Sequence, residues 1–242
     1  MTIYLFEINK YGTQQKKTQW QGKDSIIIYQ PLIIKYMESF IISLFASLIA
    51  VLIALWIEKK RMPKLVINTS ESANSDNTYR EPNPHANERW KFFRVEVENR
   101  KFPKLLSWIP RQTAENCRAK IEFYKKGESS PIFAFAGRWA STPEIPHIPN
   151  EAIVKLQHPD PVTIPVCEKE NLDVITKAEN DDNAYGWNNE SYFHDWKNPN
   201  YKLNEGEYIV KVTINTQNGI SFDRKFKLAI RKKIENTILE LL

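Results

Sequence analysis

A chain of 242 residues is long enough for one well-buried domain with appendages. Its net charge of +5 lies wholly in residues 1–64, which hold nine Lys or Arg against four Asp or Glu and leave 25 of each kind to the remainder. A neutral folded part disfavours nucleic acid as a partner, because a nucleic-acid-binding domain carries its basic excess on the fold itself.

Residues 1–36 show no sustained periodicity. The apolar run at 26–34 is interrupted by Gln30 and Pro31 and is too short to span a bilayer, and no small-residue cleavage site follows the longer apolar run. This segment reads as a poorly structured tail or a misassigned leader, with Met37 as an alternative start. Residues 37–60 read as a transmembrane helix. Between Phe40 and Ile57 only Ser43 and Ser47 are polar, and these 18 residues rise ~27 Å at 1.5 Å each, close to the hydrocarbon thickness. Trp56 sits where an interfacial aromatic belongs. Residues 40–57 therefore predict contact with the lipid bilayer and a route to homo-oligomers. The cluster Lys59, Lys60, Arg61 and Lys64 follows directly, so the positive-inside rule places the rest of the chain in the cytoplasm of a single-pass cell-membrane protein. Five lysines upstream (Lys10, Lys16, Lys17, Lys23, Lys35) oppose that asymmetry unless the chain starts at Met37.

After Pro63 the apolar pattern changes to a period of two, as in strands with one buried face. KLVIN (64–68) is a short strand, and the polar residues 69–88 read as a loop. KFFRVEVEN (91–99) puts Phe93, Val95 and Val97 on one face; CRAKIEFYKK (117–126) alternates likewise from Cys117, which reads as a small buried hydrophobe. PIFAFAGRW (131–139), AIVKL (152–156), VTIPV (162–166) and LDVITK (172–177) follow as strand candidates. EYIVKVTIN (207–215) and SFDRKFKLAI (221–230) flank TQNG, a strong hairpin signal. About eight short strands without βαβ spacing predict a mainly β domain over residues 64–230, an antiparallel β-sandwich. Residues 231–242, with Ile234, Ile238 and Leu241 at helical spacing, predict an amphipathic helix, packed on the sandwich in preference to the membrane surface.

LNEGEYIVKV (203–212), with Leu203, Gly206 and Tyr208, resembles the tyrosine corner of immunoglobulin-like and fibronectin-like sandwiches. The inter-sheet cysteine pair of that family is absent, and a jelly roll or C2-like sandwich fits the same pattern. Two cysteines, Cys117 and Cys167, are too few for a disulfide framework, though they leave room for one bond. FRVEVEN, AENCRAKIEFY, GRWASTPE and AYGWNNESY are similar to segments of prokaryotic single-pass membrane proteins with a β-rich cytoplasmic domain, which implies an architecture and no activity.

The chemistry is sparse. His85, His147, His158 and His194 lie far apart, and no Cys-x-x-Cys, phosphate-binding glycine loop or nucleophile motif occurs. No catalytic, cofactor-binding or metal-ligating residue is assigned. The adjacent pair His194–Asp195 is the only support for a hydrolase, and sequence neighbours rarely point together. The unusual stretch is AYGWNNESYFHDWKNPNYKL (184–203), where six aromatics sit outside any period. Leaving them solvated would forfeit ~1.5–3 kcal/mol each of possible burial, so most need a cover. Tyr185, Trp187 and Tyr192 are expected to pack, with Trp139 and the 141–149 loop as the cover. Phe193, His194 and Trp196 are expected at an exposed tip, the candidate interaction surface. Arg138, Trp139, Tyr185 and Trp187 form the candidate ligand pocket; Arg138 beside Trp139 reads as a strand-end anchor or a cation–π pair. The leading functional expectation is a membrane-anchored binding or scaffolding module for an unidentified protein partner. The alternative is a ligand-sensing membrane effector.

Overall fold

The computed structural model describes residues 25–76, 88–143, 159–194 and 196–242, with side chains from residue 35 onward except Ser75 and Asp76. The chain divides into two compact units, residues 1–56 and 57–242.

Helix α1 spans Ser25–Arg61, 37 residues. Its portion Lys35–Arg61 is long and apolar enough to cross a membrane, and none of that stretch is buried within the protein. Ser47 Oγ donates to the Ser43 carbonyl at 2.8 Å, so this hydroxyl is turned back onto the helix. The helix begins twelve residues before the expected boundary at 37, which corrects the reading of 25–36 as unstructured. Proline fixes φ near the helical value and forfeits one backbone bond, a loss a long helix tolerates where its neighbours propagate it. Residues 1–24 lie outside the described residues.

The second unit is built from antiparallel strands. In chain order the described strands are β1 (Leu65–Thr69), β2 (Ala73–Asp76), β3 (Arg89–Asn99), β4 (Ala114–Lys125), β5 (Phe133–Trp139), β6 (Val162–Ile164), β7 (Lys169–Ala178), β8 (Ala184–Gly186), β9 (Lys202–Leu203), β10 (Gly206–Asn215), β11 (Ser221–Ile230) and β12 (Ile238–Leu241). The main path runs β1-β3-β7-β5-β4-β10-β11-β12, and β12 returns close to β1 and β3. The sheet is thus barrel-like, with one continuous path where two packed sheets were expected. The link is β5, whose residues 133–137 pair with β4 while Arg138 and Trp139 pair with β7. Gly137 sits at that change of partner, and a Cβ there would meet Ala119 Cβ at 2.9 Å. A strand interior position of this kind needs glycine because two backbones approach too closely for a side chain.

The alternating apolar residues meet inside. Val95 and Val97 of β3, Ile121 and Phe123 of β4, Val210 and Val212 of β10 and Phe226 and Leu228 of β11 join one buried cluster. Cys117 is fully buried in it, and burial pushes its thiol up to about 11. Both cysteines are free. Tyr208 donates its hydroxyl to the Asn204 carbonyl at 3.0 Å, the upstream bond that the corner motif implies.

Two expectations are corrected and a third is not tested. The segment 69–88 contains β2, which pairs with β3 from Ala73↔Phe92 to Asp76↔Arg89. The C-terminal helix is instead a 3-10 turn, Ile234–Asn236, followed by β12 on the edge of β11. Twelve residues are marginal for a helix, whereas β11 offers unpaired backbone groups and the Thr237 hydroxyl accepts from Arg231 N at 3.1 Å to fix the turn. The candidate strand 152–156 falls outside the described residues.

Candidate functional site

The site lies on the outer face of β3, β7 and β5. Alternation along β3 sends Phe93 and Val95 inward and Trp90, Phe92 and Arg94 outward. On β7 the register slips between Phe93/Arg94, so that Phe93 opposes Ile175 while Arg94 opposes Asp173, leaving Val174 as an extra residue. This bulge lets Leu172 and Ile175 both join the core while Asp173 turns outward. Asp173 also opposes Arg138 of β5, which completes the row Arg94–Asp173–Arg138 across neighbouring strands.

Arg94 Nε stands 2.5 Å from Asp173 Oδ1, and Arg138 Nη1 stands 3.9 Å from Oδ2. The Asp173 and Arg138 side chains are only 3% and 5% exposed, so each charge depends on the other. Burial pushes the Asp173 carboxyl above its ordinary range; the charge of Arg94, its hydrogen bond and the charge of Arg138 pull against that shift. The contact geometry is that of an ion pair. Arg138 Nη2 further donates to the carbonyls of Thr142 (2.7 Å) and Pro143 (3.3 Å), and the guanidinium lies 5.1 Å from the Tyr192 ring centre. Arg138 is therefore a strand-end anchor, and its aromatic partner is Tyr192, not Trp139.

The aromatic segment folds back over this face. β8 pairs with β7 through Ile175↔Gly186, and Trp187 N donates to the Val174 carbonyl at 3.0 Å. Gly186 permits the approach, since a Cβ there would meet Phe135 Cε1 at 2.5 Å. Asn188 and Ser191 then cap each other's backbone and start a 3-10 turn, Asn189–Phe193. That turn delivers Tyr192 and Trp196 to the cluster of Trp90, Phe92, Ala178 and Trp187. Trp196 meets Trp90, Phe92 and Trp187 edge-on at 5.2, 5.6 and 5.4 Å. Its φ of 66° is left-handed backbone, unusual for a bulky residue, and its N–H donates to the Ser191 carbonyl at 2.9 Å.

Tyr185 and Trp187 are buried and Tyr192 is half-buried, as expected of packed residues. Phe193 and His194 are exposed, but Trp196 belongs to the cluster and is removed from the exposed tip. The pocket membership is also corrected. Adjacent strand residues face opposite sides, so Trp139 points into the core, where its Nε1 donates to the Cys117 carbonyl at 3.0 Å, while Arg138 points outward. Tyr185 is held away by its hydroxyl bond to Asp181 Oδ2 at 3.0 Å. Trp139 is therefore not the cover of the aromatic segment; Trp90 and Phe92 are. Residues 144–149 and Asp195 fall outside the described residues.

Beside the cluster lies a cleft of about 280 Å³. Phe92, Arg94, Asp173 and Arg138 form its floor, Trp187, Tyr192 and Trp196 one wall, and Asn74 of β2 lines it as well. Among the described residues, Trp187 Nε1 and Arg138 Nε are buried donors without a protein acceptor. Buried donors are normally paired, so a cleft that collects two of them beside the Arg94 guanidinium is suited to a ligand that brings acceptor oxygens. Arg94, Asp173 and Phe92 were not singled out by the sequence reading. Their one signal was an aspartate within an apolar strand, LDVIT, where alternation fails. Among the described residues no group of three or more His, Cys, Asp or Glu is placed to hold a metal ion. No protein-family model, curated protein or solved structure matches the chain.

Proposed function

We propose that the protein is a single-pass membrane-anchored binding module whose β domain faces the cytoplasm and recognises an acidic segment of a protein partner through the Arg94–Arg138–Trp187 cleft. The observation that carries this reading is a concave site with Arg94 on its floor, lined by Arg138 and Trp187, whose buried Nε and Nε1 donors have no acceptor among the described residues. The arginine and aromatic lining is of the kind that dominates recognition hot spots. The reading assigns no catalytic step to the site. An immunoglobulin-like origin of the β domain belongs to it too, supported by the Tyr208 hydroxyl bond. A second reading, a sensor for a small free carboxylate, is favoured by the size of the cleft, about 280 Å³ and near the lower end of small-ligand sites.

The test is photo-crosslinking of the full chain in native membranes. A benzophenone amino acid at Asn74, in the cleft, should give a discrete protein adduct that Arg94→Gln abolishes, and one at exposed Lys225 should not. Identical adducts at both positions, or none at Asn74, would overturn the proposal. A low-mass carboxylate retained in native mass spectra of the purified protein and lost in Arg94→Gln would select the sensor. Orientation is read from the exposed Cys167, which should resist a membrane-impermeant thiol reagent until cells are permeabilised.

A further inference from the structure

Residues 100–111 form an ordered loop with an unusual distribution of apolar side chains. Phe102 and Ile109 are buried, 8% and 3% exposed, and Arg111 stacks on the Phe102 ring at 4.1 Å, which pins both ends of the loop. Between them the turn is closed by Leu106 N to Pro103 O (2.9 Å) and Ile109 N to Leu106 O (3.0 Å). Yet Leu105 is 87% and Trp108 67% exposed, the highest values among large apolar side chains of the described β unit. Such a loop holds two apolar residues outward by construction.

The loop is tied to the chain at the point where the apolar span ends. Gln112 N donates to the Arg61 carbonyl at 2.7 Å, and Arg111 Nη1 donates to the Met62 carbonyl at 2.8 Å. Buried Asn99 locks the same junction, accepting from Lys64 N at 3.3 Å and donating to the Gln112 carbonyl at 3.0 Å. The last apolar residue of the span is Ile57, so residues 58–64 lie at the bilayer boundary wherever the domain sits. The loop's own Lys101 and Lys104 are exposed and directly precede the two apolar residues.

We propose that this loop is a second membrane contact, in which Leu105 and Trp108 enter the interface of the bilayer that holds α1 while Lys101 and Lys104 meet anionic headgroups. Tryptophan is favoured at that depth, and lysines near an anionic surface add attraction. The proposal rests on the reading of α1 as a membrane span. Its consequence is a domain held at two points, with a restricted range of orientations towards its partner.

The experiment uses the full chain with Cys167→Ser, carrying an environment-sensitive fluorophore on Leu105→Cys, Trp56→Cys or Phe193→Cys, in nanodiscs containing shallow nitroxide-quencher lipids. Emission from position 105 should shift to the blue and be quenched, while position 193 should be unaffected. Lys101→Glu with Lys104→Glu should weaken the quenching at 105 in discs with anionic lipid, about fivefold per charge in the inserted-to-free ratio, and change little in zwitterionic discs. Quenching at 56 without quenching at 105 would overturn the loop contact alone. Absence of quenching at 56 would overturn the membrane-span reading and this proposal with it. A blue shift at 105 without lipid quenching would assign the loop to a second copy of the chain and overturn the lipid contact.

Discussion

The two apolar clusters of the β unit differ in how they are closed. The inner one is dominated by medium-sized residues such as Val95, Ile121, Val212 and Leu228, fully buried because strands surround them on every side. The outer one is mostly aromatic, with Trp90, Phe92 and Trp187 under Tyr192 and Trp196, and a single irregular segment covers it. A face closed by strands needs only alternation; a face closed by a loop needs large rings that reach. Where that segment ends, the cover ends, and a cleft lined by Trp187 and Arg138 lies beside it. The difference teaches that the cleft is the unfinished edge of a second core.

The row Arg94–Asp173–Arg138 joins the two clusters, so breaking it tests the comparison most severely. Asp173→Ala is expected to cost about 3–5 kcal/mol, because it leaves the buried Arg138 uncompensated. Chemical denaturation of the detergent-solubilised protein measures this; a loss near zero would show that the arginines find other acceptors. Next comes the outer cluster itself. Trp187→Ala should cost ~3–5 kcal/mol, as a large buried ring does in any core. Trp196→Ala should cost less, ~1–2 kcal/mol, since the ring is half-buried. Trp196→Gly should be no worse than Trp196→Ala, because glycine accepts the left-handed backbone at φ 66°. Equal costs for Trp187 and Trp196 would erase the distinction between floor and cover. At the inner core's rim, Tyr208→Phe is expected to cost about 1 kcal/mol through the lost bond to Asn204. A neutral result in thermal unfolding would reduce the corner to a packing position.

The inner cluster was legible in the sequence because a period of two has one physical meaning: Phe93, Val95 and Val97 could only share a face. The hairpin around Asn218 was legible for a similar reason, its turn chemistry being local. The outer site was legible only in part. That the aromatic segment packs on its own domain followed from the cost of solvating it, and Trp187 is where that argument put it. What it packs on depended on the Val174 bulge, which shifts Asp173 beside Arg94 and has no local signature beyond a broken alternation. Trp139 was drawn into the pocket by sequence proximity to Arg138, the property that sends the two to opposite faces. The C-terminal segment failed differently: Ile234, Ile238 and Leu241 satisfy a helical period, but an open edge on β11 competed for the backbone.

The smallest expected effect concerns the flank where the outer cover is fastened. Asp181 accepts from Asn183 N and Nδ2, both at 2.9 Å, and from the Tyr185 hydroxyl at 3.0 Å, and it lies 3.4 Å from Lys197 Nζ. Burial alone would raise its carboxyl, but the Asn183 and Tyr185 hydrogen bonds and the Lys197 charge outweigh it and hold the group below its ordinary value. A carboxyl whose folded value lies below the unfolded one binds fewer protons in the native state. It stabilises the fold above the unfolded value, ~4, and that contribution is lost as pH falls through the folded value. Asp181→Asn should therefore lower stability by at most about 1 kcal/mol at neutral pH, with the gap to the parent protein closing below pH ~4. Melting temperatures of both proteins measured across that range decide the matter. A gap that persists unchanged in acid would mean that Asp181 fastens the cover by shape and not by charge, as the apolar inner core does throughout.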